Sequence, residues 1–162
     1  MKASDIFTGS SISKILIVRS IPVSDPQNVR PSLADMLRPS MQTLKHIVLN
    51  TIVYNDIFDP LLGIPSELEV MRSKNIIESV TIRVLVDRDC HRGDDWGMLD
   101  MVLTAPGWFS LKRVSLAIDI ARCFREGDEL EVAMRNFLET QFPRLSSNTS
   151  VSFDLEVKTT FD

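Results

Sequence analysis

The chain has 162 residues, a formal net charge of −4, 44% hydrophobic residues and 25% charged residues. Such a length fits one domain, residues 12–162 behind a polar lead-in over 1–11, burying roughly 70% of its unfolded surface. The acidic balance and scattered basic residues argue against a nucleic-acid partner. No apolar run nears membrane-spanning length, so no membrane role is expected. Without a continuous apolar stretch near Met1, the expected location is the cytoplasm or nucleus.

In chain order, Ile12 to Arg19 reads as a first strand, and the prolines at 22, 26 and 31 make a loop after it. Ser32 caps a short helix carrying Leu33, Met36 and Leu37, which Pro39 stops. Leu44 to Tyr54 is the second strand. Asn55 to Pro65 is an apolar loop expected to pack down, and Ser66 starts a helix through about Ser73. Ile76 to Asp87 is the third strand, and Arg88 to Gly93 a charged turn.

Next comes the clearest unit. Trp96, Leu99, Val102 and Leu103 fall on one face of a helix, with Asp94 and Asp95 at its start to cap it and Pro106-Gly107 to end it. Leu111, Val114, Leu116, Ile118 and Ile120 then form a strand, alternating from Val114 onward with Ser115, Ala117 and Asp119. Asp128 caps the longest helix, which Pro143 ends, and Val151 to Thr160 is the last strand. Trp96 is in phase with the helix core; Trp108 could be core or surface.

A strand opening of the form apolar-x-x-apolar-x-apolar recurs. It begins at Ile12, Leu44, Ile77 and Leu111, at separations of 32, 33 and 34 residues, and a weaker copy holds Asn148, Val151 and Phe153. Near-constant spacing in this range marks repeat proteins. Strands joined by helices favour parallel pairing. The last two strands alternate, which suits a sheet with one face open. The expected fold is therefore α/β: a curved, leucine-rich-repeat-like parallel sheet of about five strands with helices on one face.

The run Trp96-x-x-Leu99-Asp100-x-x-Leu103, then Phe109-x-Leu111-x-x-Val114-x-Leu116, resembles the leucine-rich-repeat-like region of F-box-type proteins of mushroom-forming fungi. That resemblance implies an adaptor holding a protein partner on its repeat surface. The F-box itself, a helical motif that docks a ubiquitin-ligase scaffold, is not visible.

Candidate chemistry is sparse. Val84-Leu85-Val86-Asp87-Arg88-Asp89 resembles the nucleophile motif of haloacid-dehalogenase-type phosphohydrolases, which implies a small Mg²⁺-dependent phosphohydrolase using Asp87 and Asp89 as the alternative function. Read from the residues alone, the same stretch is a charged turn before a helix cap. Cys90, His91 and Cys123, with His46 far away, lack the spacing of a closed zinc site and read as free thiols and an imidazole. No Gly-rich phosphate loop is present, and no metal or cofactor is expected.

The expected function is a non-enzymatic protein-interaction module, with a partner bound on the open sheet face. The off-phase strand residues His46, Asn50, Thr81, Arg83, Ser115, Asp119, Asp154 and Glu156 are the candidate contacts. The loops after the strands, with Arg88 and Arg92, would extend that surface. With no polar cap after Phe161, an uncovered sheet edge would allow self-association, or would mark a fragment of a longer array.

Overall fold

A computed structural model describes residues 14–20, 32–53, 59–73, 75–86, 92–122 and 127–161. The elements are β1 (Lys14–Ser20), α1 (Leu33–Leu37), a 3-10 turn (Arg38–Ser40), β2 (His46–Val53), α2 (Ile64–Met71), β3 (Ser79–Val86), α3 (Asp95–Thr104), β4 (Arg113–Arg122), α4 (Gly127–Gln141), α5 (Pro143–Ser147) and β5 (Ser152–Phe161). The strands lie side by side in chain order, and every neighbouring pair is parallel. The fold is α/β, with helices in the connections between parallel strands.

The sequence period is the sheet register. Lys14, His46, Ser79 and Arg113 stand in one row across β1 to β4, 32, 33 and 34 residues apart. The fifth copy departs from the expected alignment. Val114 pairs with Phe153 and Leu116 with Leu155, so the copy lies two residues later than the match through Val151 suggested. The shift is even, so the same side chains still face the core. It arises because the last connection carries both α4 and α5.

One core joins the helices to alternate strand residues. Leu49, Ile82, Leu116 and Val157 are buried with Leu37, Leu68, Leu99, Met134 and Leu145 of the five helices. Leu44, Ile77 and Leu111, the first apolar positions of the recurring pattern, are buried just ahead of β2, β3 and β4. They pin each turn into its strand. In α1, Leu33 and Leu37 point inward, while Met36 is 42% exposed. Trp108 is buried, and its Nε1 donates to the Val102 carbonyl at 2.9 Å. The loop before α2 packs down through Leu61 and Asp59, both buried.

Buried polar side chains tie neighbouring modules together. Asp59 accepts from Leu61 N at 2.8 Å and, across to the next module, from Gly93 N at 3.1 Å. Asn75 donates to the carbonyls of Met71 and Arg72, both at 2.8 Å, and accepts from Ile77 N at 3.0 Å. It closes the end of α2 and starts the path to β3. Glu67 Oε2 accepts from Leu33 N of α1, and Asp100 accepts from Arg144 N and Leu145 N of α5. Glu67 lies in the first turn of α2 and Asp100 in the middle of α3, and each serves free N–H groups at another helix's start.

Several local signals resolve differently from the sequence reading. Ser32 does cap α1, accepting from Asp35 N at 3.0 Å. Asp94 occupies the N-cap position of α3 but makes no side-chain capping bond, because its backbone is already helical. α1 ends at Leu37, ahead of Pro39 as expected, and Pro39 sits in the first turn of the 3-10 segment that follows, where a missing N–H costs nothing. The helix read from Ser66 begins at Ile64, with Pro65 in its first turn and Gly63 at φ +75° before it. Pro143 ends α4 by opening α5, an element the periodicity did not reveal.

A charge ladder runs along the rim where β2, β3 and β4 begin. The Lys45 carbonyl accepts from Glu78 N and Ser79 N at 2.7 and 3.0 Å, and the Glu78 carbonyl accepts from Lys112 N and Arg113 N at 2.8 and 3.1 Å. On the side chains, Lys45 Nζ and Lys112 Nζ each lie 2.8 Å from one oxygen of Glu78. The hydrogen bonds from Lys112 and then Lys45 hold the Glu78 carboxyl at about 2, against an ordinary 4.5. A carboxyl lowered in the folded state stabilises the fold fully above its unfolded value, and that contribution fades as pH falls through the folded one. The ladder's contribution is therefore complete above about pH 4.5 and lost toward pH 2, and it is small because these groups meet solvent. Urea midpoints followed from neutral to about pH 3 are expected to fall less steeply for Glu78→Gln than for the wild type.

Candidate functional site

The second face of the sheet is built from the residues that alternate with the core set. Register places them in four rows across β2 to β5. The first is His46, Ser79, Arg113 and Ser152; the second Val48, Thr81, Ser115 and Asp154. The third is Asn50, Arg83, Ala117 and Glu156; the fourth Ile52, Leu85, Asp119 and Lys158. None of these residues belongs to the core that the helices share. Period-two patterning creates the face, since each strand sends its apolar partners the other way.

The eight residues proposed from the sequence all stand in these rows, but their side chains are not equally free. His46 Nδ1 and Ser79 Oγ share a hydrogen bond of 2.7 Å. Arg113 Nε and Nη2 donate to Asp154 Oδ2 at 2.8 and 2.7 Å. Lys158 Nζ lies 3.2 Å from Asp119 Oδ1, directly across the β4–β5 pair. Asn50 Oδ1 is enclosed and has no hydrogen-bond partner among the described residues. Thr81 and Ser115 are half-buried.

That leaves Arg83 and Glu156. Both are exposed, and neither forms an ion pair among the described residues. They share the third row, with the small side chain of Ala117 between them. Two strand spacings separate them by roughly 10 Å. The arrangement offers a positive and a negative group flanking a shallow, uncharged seat.

Apolar and charged residues are segregated across the face. Val48 and Ile52 on β2 and Leu85 on β3 give one side an apolar character, while Asp154, Glu156 and Lys158 charge the β5 side. Arg113 and Lys158 belong to the face although they were not among the sequence candidates. Strict alternation from Ser115 and from Glu156 was the signal that could have found them.

Arg92 is exposed ahead of α3. Its guanidinium lies over the Phe137 ring of α4, 5.9 Å from the centroid, because the ring face attracts the cation. Asp87, Arg88, Asp89, Cys90, His91 and Cys123, and the side chain of Asp128, lie outside the described residues. So do the lead-in and the loop over 21–31. Among the described residues no cluster of three His, Cys, Asp or Glu side chains could hold a metal ion. No described helix is long and apolar enough to cross a membrane.

A separate groove of about 420 Å³ opens beyond the charge ladder, lined by Leu103, Trp108, Phe109, Lys112 and Ser150 among others. Phe109 stands 85% exposed at its mouth. Lys112 is its one titratable group, and that ammonium is bound to Glu78.

No family model, no curated protein and no solved structure matches the chain.

Proposed function

We propose that the chain is a non-enzymatic protein-interaction module that binds a partner protein on the open sheet face, in the cytoplasm or nucleus. In this reading the strand–helix modules stack as in a leucine-rich-repeat-like curved sheet, related to the substrate-recognition regions of F-box adaptors. The row spacing of 32, 33 and 34 residues and the module-to-module ties support that organisation. The observation that carries the function is the third row, where Arg83 and Glu156 present opposite charges that the described fold does not use. A partner supplying an acidic and a basic group at roughly 10 Å would pair with both and cover Ala117 between them. Half-buried Ile52 on β2 and exposed Leu85 on β3 would then anchor the contact, as the core of an interface does.

The test is capture from an extract of the native cell on immobilised wild-type chain, Arg83→Glu, Glu156→Lys and the double variant. Both sites are exposed, so the stabilities from urea unfolding should stay within about 0.5 kcal/mol of the wild type. A specific partner is expected to fall by roughly tenfold or more with each reversal. A partner retained equally by all four proteins would place binding elsewhere and end this reading.

A further inference from the structure

We propose that the outer edge of β5 is a strand-addition site for a second copy of the chain, held closed by Arg135 and Glu131 of α4. The proposal concerns the edge of the sheet and stands independently of the open face. Ser152 N donates to Lys112 O, toward β4. Alternation turns the peptide groups of Asp154, Glu156 and Lys158 the same way and those of Phe153, Leu155, Val157 and Thr159 outward. Among the described residues no strand lies beyond β5. Such a row of free peptide groups is a template for another chain unless something covers it.

One side chain covers it here. Arg135 Nη2 donates to the outward carbonyl of Val157 at 3.1 Å. Glu131 Oε1 holds the same nitrogen at 3.3 Å, while Glu131 Oε2 accepts from Thr159 Oγ1 at 2.8 Å. The latch thus spans two successive outward positions and takes one carbonyl out of use.

The choice of a second copy comes from charge. Two β5 edges related by a two-fold axis pair antiparallel, and the register decides which side chains meet on the open face. Centred on Leu155, Asp154 of one copy opposes Glu156 of the other. Centred on Glu156, that residue opposes itself between two Asp154–Lys158 pairs, and centred on Lys158, that residue opposes itself with no attractive pair beside it. Centred on Val157, Glu156 opposes Lys158 of the second copy twice over, and Asp154 meets Thr160. In that register Val157 N–H and C=O exchange hydrogen bonds with Val157 of the second copy. The carbonyl that Arg135 occupies is therefore the central acceptor of the best-matched register.

Sedimentation equilibrium on the full chain tests this. The wild type should be monomeric at micromolar concentration. Arg135→Ala should dimerise with an affinity roughly ten- to a hundredfold higher, the range one charge-assisted hydrogen bond spans. Adding Val157→Pro should return it to monomer, since that N–H points outward and its loss spares the native ladder. Adding Glu156→Lys to Arg135→Ala should also abolish the dimer, and Lys158→Glu on top should restore it. Urea midpoints confirm that each variant is folded. A wild type already tightly dimeric, an Arg135→Ala protein as monomeric as the wild type, a dimer that survives the proline, or a charge swap that restores nothing would each overturn the proposal.

Discussion

Trp96→Ala is expected to cost about 3–5 kcal/mol, the range for removing a large aromatic from a closed core. The indole is completely inaccessible. It lies edge-on to Phe137, with ring centroids 5.9 Å apart and planes at 84°. That contact seats α4 on α3, and α3 itself packs on α2 and α5. An empty indole site would therefore loosen the packing of several modules at once. The polar end of this side chain contributes little, because Nε1 has no hydrogen-bond partner among the described residues. A buried donor without an acceptor is a cost that phenylalanine does not carry. Trp96→Phe should consequently lose less than half of what Trp96→Ala loses. Urea midpoints at unchanged slope measure both. A Phe variant as unstable as the Ala variant would mean that the indole N–H holds something.

Asp100→Ala is expected to cost about 2–3 kcal/mol, more than an ordinary helix cap. Its carboxylate is buried and takes two backbone N–H groups of α5, Leu145 N at 2.8 Å and Arg144 N at 3.1 Å. Alanine would leave the Leu145 N–H without an acceptor in a dry site, where the lost bond and the desolvation penalty add. Asp100→Asn keeps one acceptor oxygen and should lose about half as much. Glu67→Ala removes the bond to Leu33 N at a more exposed place and should cost about 1 kcal/mol. Hydrogen exchange at Leu145 N should accelerate in Asp100→Ala well beyond the change at core strands. An Asp100→Asn variant as stable as the wild type would show that the second bond contributes nothing.

The strands and helices of the middle modules were legible because two signals coincided. Alternation from Val114 to Ile120 and the helical spacing of Trp96, Leu99 and Leu103 both report burial, and burial follows from side-chain period alone. The row spacing was legible for the same reason, since Leu44, Ile77 and Leu111 fill equivalent places. Prolines marked two helix ends, α1 at Leu37 before Pro39 and α4 at Gln141 before Pro143, but not the helical turns that follow them. Pro39, Pro65 and Pro143 all lie in first turns, where proline is tolerated, and residue type alone does not separate a start from a stop. Asp100 was visible only as part of a motif; its partners lie 44 and 45 residues away, beyond any local pattern.

For the candidate site, alternation assigned side chains to a face but not to one another. It could not show that His46 is held by Ser79, Asp119 by Lys158 and Asp154 by Arg113, because register between strands decides those pairs. Nor could it show that Arg135, from a helix, would reach around to the Val157 carbonyl and guard the edge that looked bare after Phe161.

Because consecutive strands are neighbours, adding any strand to the sheet closes a chain segment of nearly the same length. The entropy of closure depends only weakly on segment length, so each step of assembly carries about the same cost. No pair of strands is favoured as the starting point by chain connectivity. Where folding begins is left to side-chain packing, and the dense middle around α3 is where that packing is richest.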